Sequence, residues 1–151
     1  MHIFIKNKNL VINNYNVKCA IGKRGIQVKK KEGDNITPKG KFKIKYLFYR
    51  KDRISKIKTG ITKLPIQKNM GWCDDPCSSM YNKLIKLPYK YSAEKLYRND
   101  NTYDIILVLN YNMEPVVKNK GSAIFIHVSK KNFKKTEGCI GIKKKPHIDN
   151  N

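Results

Sequence analysis

Ile126-His127-Val128-Ser129-Lys130-Lys131-Asn132-Phe133-Lys134-Lys135-Thr136-Glu137-Gly138-Cys139-Ile140-Gly141 is the stretch on which the reading of this chain turns. An apolar run, Ala123-Ile124-Phe125-Ile126, ends at a histidine. A polar, lysine-rich connection follows, and Gly138 and Cys139 then open a second short apolar run to Ile142. Two short branched runs of this kind, separated by a connection without helical periodicity, read as two strands.

The same signal continues outward. Ile105-Ile106-Leu107-Val108-Leu109 is continuously apolar and bounded by turn formers, so it and the Ala123 to Ile126 run read as central strands covered on both faces. Lys41-Phe42-Lys43-Ile44-Lys45-Tyr46-Leu47-Phe48 alternates basic with apolar, the period of a strand with one wet face. Val17 to Ile21 and the alternating N-terminal residues from Met1 to Leu10 read as further strands. The best helical candidate is Tyr91-Ser92-Ala93-Glu94-Lys95-Leu96-Tyr97-Arg98, with Ser92 as N-cap and Glu94 in the first turn. Residues 52–88, punctuated by Pro65, Pro76 and Pro88, read as one long central insertion, and long insertions of this kind usually serve a site. The expectation is a mainly β chain forming one domain over residues 1–151, with one or two short helices and that insertion.

Composition narrows the partners. The net charge is +22, and a dense basic surface gains affinity for phosphates by releasing counterions. Yet Arg24, Arg50, Arg53 and Arg98 are the only arginines among 33 basic residues, and arginine is what bidentate phosphate recognition prefers. No basic amphipathic helix and no cluster of aromatics between basic residues appears, so nucleic acid is an unfavoured partner. The lysines accord better with an A/T-rich coding bias, and their field would steer an anionic partner. Met1 to Leu10 has neither the long apolar core nor the cleavage site of a signal peptide, and no stretch reaches membrane-spanning length. Cys19, Cys73, Cys77 and Cys139 are expected as free thiols. The Cys73-Asp74-Asp75-Pro76-Cys77 spacing lacks a second ligand pair, and neither it nor His147 makes a metal site; no metal or cofactor is expected.

Cys139 and His127 carry the chemistry. An imidazole beside a thiol lowers the thiol's pKa and takes its proton, and the amides around Gly138 and Cys139 can donate to the oxyanion of a tetrahedral intermediate. The plainer alternative is a small buried cysteine and a strand-end histidine with satisfied nitrogens.

This segment resembles the signature of the L,D-transpeptidase (YkuD) catalytic domain, in which a strand-end His precedes Ser/Thr-x-Gly-Cys and an apolar residue; here these are His127, Thr136, Gly138, Cys139 and Ile140. Thr37-Pro38-Lys39-Gly40-Lys41-Phe42 is similar to the family's T-P-x-G-x-F turn, and further matches run through Lys31 to Asp34, Tyr49 to Arg53, Gly71 to Pro76, Tyr81-Asn82, Ser92 to Leu96 and Gly121 to Phe125. The resemblance implies a β-sandwich, and a catalytic set of Cys139, His127, Gly138 and the Val128 carbonyl, which would orient the imidazole. Many members carry His before the Gly-Cys pair and Arg or Asn two residues after the Cys. Glu137 and Gly141 stand there in this chain, and an ionised Glu137 disfavours thiolate.

What the resemblance implies is acyl transfer on peptidoglycan stem peptides or muropeptides. Cys139 would attack the carbonyl of a stem diamino acid, and an acceptor amine would resolve the thioester into a cross-link. Water in place of the amine would make a carboxypeptidase. A non-catalytic basic domain that binds wall polymer, or less favourably nucleic acid, is the remaining alternative. Arg50, Arg53, Trp72, Thr136 and Glu137 are the candidate substrate contacts, with Arg50 or Arg53 as possible partners of Asp52 or Asp34 instead, and with Trp72 read as a pocket wall. Asp74 and Asp75 read as turn caps, with recognition of an acceptor amine as the alternative. The substrate points to the periplasm or cell envelope, while the missing export signal leaves the cytoplasm open.

Overall fold

Alternating and continuous apolar runs become strands much where their periods place them. The computed structural model describes residues 2–144; His147 lies outside the described residues. β1 (Ile3–Lys6), β2 (Asn9–Ile12) and β3 (Tyr15–Ala20) form an antiparallel meander. Asn7 and Lys8, both at positive φ, make the two-residue turn between the first two, the hairpin type whose twist matches its strands. β4 (Ile26–Gln27) and β5 (Thr37–Pro38) pair in parallel as a small ribbon. β6 (Ile44–Tyr49), β7 (Lys63–Pro65), β11 (Ile105–Leu109), β12 (Phe125–Val128) and β13 (Ile140–Ile142) complete an eight-stranded sheet in the order β1-β2-β3-β13-β12-β11-β6-β7. The sheet curls until Ile3 exchanges backbone hydrogen bonds of 2.9 and 3.0 Å with Phe42, just ahead of β6.

A second sheet packs on it. β8 (Met70–Cys73) lies between β10 (Ala93–Lys95) and β9 (Leu84–Lys86), and all four residues of β8 are buried. The fold is mainly β and sandwich-like, as expected. Residues of β11 divide between two cores by parity. Ile106 and Val108 join Phe48, Trp72, Leu96 and Phe125 between the sheets, while Leu109 joins Ile3, Leu10, Ile124, Ile126 and Ile140 inside the curl. Both faces of β11 and β12 are thus covered, the condition their continuous apolar runs announce.

Two expectations are corrected. Residues 91–98 form no helix; Ala93, Glu94 and Lys95 pair with Cys73, Trp72 and Gly71 across β10 and β8. A lone eight-residue helix is marginal in water. Pairing to the buried β8 instead satisfies the backbone and seats Leu96 wholly inside the core. Among the described residues, helix is confined to one 3-10 turn, Lys131–Phe133, in the connection leading to Cys139. Residues 52–88 are likewise no open loop, because β7, β8 and β9 lie within them.

Candidate active site

β12 and β13 run side by side in parallel, with Ile126 opposite Ile140 and His127 opposite Gly141. Side chains two apart share a face of a strand. Cys139, two residues before Gly141, therefore emerges on the His127 face, toward the core that holds Phe125. Both side chains line one cavity of about 420 Å³.

His127 is 8% exposed, and its Nδ1 lies 2.8 Å from the Val128 carbonyl oxygen. A carbonyl only accepts, so Nδ1 carries the proton and Nε2 is left as the basic nitrogen. Burial, opposed by this hydrogen bond, holds the imidazole below its usual 6.5, which keeps it neutral at pH 7. The Tyr103 ring stands edge-on to it at 5.6 Å.

Cys139 is half-buried, and its Sγ donates to the Ala123 carbonyl at 3.0 Å. Among the described residues no hydrogen bond joins it to His127. Nor is the thiol pKa lowered, as the sequence led us to expect. Burial, and then the Glu94 carboxylate, push it up to about 12, against a smaller opposing effect of the Phe125 amide; Glu137 adds to the rise. The resting sulfur is a thiol rather than a thiolate.

The turn around it is fixed by hydroxyls. Thr136 Oγ1 donates to the Cys139 carbonyl at 2.6 Å and accepts from the Gly138 amide at 3.1 Å, so that hydroxyl is occupied inside the turn. Gly138 has φ 140°, and a Cβ there would sit 2.9 Å from the Ile36 carbonyl oxygen, so only glycine fits. Gly141, where many family members carry Arg or Asn, is close-packed: a Cβ would meet Ser129 at 3.0 Å and Ala20 at 3.3 Å, so a larger residue there needs these neighbours to shift by a few tenths of an ångström.

The cavity wall carries both signs of charge. Glu32, Asp74 and Glu94 line it together with Arg98, Lys130 and Lys134. Glu32 accepts from Tyr81 and from Ser122 Oγ (2.8 Å), Glu94 accepts from Tyr103, and Asp74 Oδ1 is buried without a partner among the described residues. Burial raises the pKa of Glu32 and of Glu94. Asp75, by contrast, caps a turn through the Cys77 amide at 2.9 Å.

Glu137 and Thr136 line the cavity; Arg50, Arg53 and Trp72 do not. Arg50 grips Asp52 with two bonds of 2.8 and 2.7 Å, donates to the Arg98 carbonyl at 2.5 Å and stacks on Tyr97. Arg53 bonds Asp104 at 2.7 Å and the Asn99 and Asp100 carbonyls at 2.9 Å each. The two arginines thus pin the backbone that presents Arg98 and Tyr103 to the cavity. Trp72 is 2% exposed, edge-on to Phe125, and donates from Nε1 to Asn82 Oδ1 at 2.9 Å; it belongs to the core. Sequence reasoning passed over Tyr103 and Glu32. Glu32 carried a signal, since it lies in the Lys31 to Asp34 stretch similar to the family; Tyr103 carried none.

A family model for the L,D-transpeptidase catalytic domain matches residues 1–149. The chain belongs to this family. No curated protein and no solved structure matches it. The family acts on peptidoglycan. No helix among the described residues is long and apolar enough to cross a membrane.

Proposed function

We propose that the chain is a cysteine-dependent peptidoglycan L,D-transpeptidase. As the carbonyl carbon of a stem diamino acid approaches, Cys139 Sγ attacks it and the thiol proton passes to His127 Nε2. The amide at Cys139 faces the oxyanion. Collapse breaks the peptide bond, the departing D-residue amine takes the proton from His127, and a thioester remains on Cys139. The amine of a neighbouring stem then attacks the thioester, forming an amide and releasing the thiol.

One observation carries the reading: a thiol and an imidazole with its Nδ1 already committed to a carbonyl share one face of adjacent parallel strands and one cavity. General-base activation suits a nucleophile that keeps its proton until substrate arrives. The carboxylates and cations of the wall suit a stem bearing both ammonium and carboxylate groups. Glu137, exposed and lining the same cavity, would offer its carboxylate to the acceptor amine.

The test is product analysis by mass spectrometry after incubation with purified tetrapeptide muropeptides. Cross-linked dimers with loss of the terminal D-residue are expected. Trimmed monomers alone would assign hydrolysis instead, and unchanged substrate would remove the enzymatic reading. Cys139→Ala is expected to lower turnover by at least about 10³-fold.

A further inference from the structure

The Thr37 hydroxyl lies outside the cavity and wholly buried, yet it is bonded to the nucleophile's turn. Thr37 Oγ1 donates to the Gly138 carbonyl at 2.8 Å and accepts from the Gly22 amide at 2.8 Å. Both directions are forced, because a carbonyl cannot donate and an amide cannot accept. Three segments meet here. The Lys23 amide donates to the Thr136 carbonyl (2.9 Å), the Thr136 amide to the Ile21 carbonyl (3.0 Å) and the Arg24 amide to the Asn35 carbonyl (3.0 Å). Those bonds join backbone to backbone; at Gly138 the clamp is a side chain.

The bonded atom matters. The Gly138 carbonyl and the Cys139 amide belong to one peptide plane, and in a trans peptide they point in opposite directions. Gripping the carbonyl from the buried side therefore aims the Cys139 amide the other way, toward the cavity that Gly138 and Cys139 line. The Gly138 amide is already engaged with Thr136 Oγ1, so the Cys139 amide is the donor this turn can offer an oxyanion. Glycine at Gly138 makes the close approach to Ile36 possible but leaves this plane the softest in the turn. We infer that Thr37 is a positioning residue for acyl transfer: its hydroxyl fixes the Gly138–Cys139 peptide so that the Cys139 amide stabilises the oxyanion.

This inference rests on Cys139 being acylated, though not on peptidoglycan being the acyl donor, and the test separates the two. Two probes are compared on the Cys77→Ser background, which removes the exposed competing thiol. With p-nitrophenyl acetate, Sγ attacks the ester carbonyl, an oxyanion forms, p-nitrophenolate leaves and an acetyl thioester remains. With iodoacetamide, Sγ displaces iodide from carbon and no oxyanion forms. Modification of Cys139 is timed by peptide mass spectrometry.

Thr37→Val is expected to slow acetylation about tenfold or more while alkylation stays within about twofold, since misdirecting one oxyanion donor weakens only the reaction that uses it. Thr37→Ser keeps the hydroxyl and should restore the wild-type ratio. Thr37→Ala against Thr37→Ser makes the same comparison if the valine variant does not fold. Equal slowing of both reactions, slowing of neither, or no acetylation of Cys139 in the wild type overturns the inference. Failure on muropeptides with the ratio intact would overturn only the choice of substrate.

Discussion

A thiol at about 12 sharing a cavity with a neutral imidazole defines the pH behaviour at the residue scale. His127 is held below 6.5, so it is already basic at pH 7 and becomes unable to accept a proton only as pH falls through its lowered value. We expect kcat/KM to be level above neutrality and to fall on an acid limb whose midpoint lies below 6.5. A limb centred near the ordinary thiol value of about 8.5 would instead mark a thiolate formed before substrate binds. That Cys139 and His127 meet at one cavity was legible in the sequence because the signature is local, and the bond from His127 to the Val128 carbonyl was implied by the family resemblance. Glu94 was not. Its place beside the thiol depends on β10 pairing with β8, a contact that local propensity does not encode.

At the scale of elements, β8 carries the second sheet and Trp72 carries β8. The indole bridges the sheets, edge-on to Phe125, and its Nε1 bonds the same Asn82 Oδ1 that accepts the Ala123 amide at 3.1 Å. Removing it empties the space between the sheets and frees the segment whose carbonyl receives the thiol. Trp72→Ala is expected to cost about 3–5 kcal/mol in urea unfolding, the usual range for a buried aromatic; a loss under about 1 kcal/mol would mean that the indole is no part of the core. The central strands were readable from their continuous apolar runs. Strand ends were less so. The Ala123 to Ile126 run yields a strand only from Phe125, because Ala123 takes φ 52°. Trp72 stands away from the Cys139 cavity, in the core and along a second cavity with Phe48 and Asn82, because the four residues of β8 are buried by partners distant in sequence.

The whole molecule holds 33 basic residues against 11 acidic ones, yet among the described residues Glu32, Asp74 and Glu94 stand at the cavity without an ion pair. Of the described acids that do pair, Asp34 (with Lys29) and Asp104 (with Arg53) are buried, while Asp52, Asp100 and Glu114 pair at the surface. A field of this sign attracts anionic polymer over a distance of about 8 Å at physiological salt and is screened above it. We expect kcat/KM for carboxylate-rich muropeptides to fall as salt rises from 50 to about 500 mM, with kcat nearly constant; a fall confined to kcat would argue against steering. Charge alone, read from composition, was compatible with nucleic acid or wall polymer, and the choice came from the local signature rather than from the surface.

The most direct measurement is intact-mass spectrometry of the protein quenched in acid within seconds of mixing with a tetrapeptide muropeptide. An adduct equal to the substrate minus its terminal D-residue, mapped to Cys139, discharged by an added amine and absent in Cys139→Ser, is the expected result. Turnover without any adduct on Cys139, or an adduct that persists in Cys139→Ala, would contradict the account.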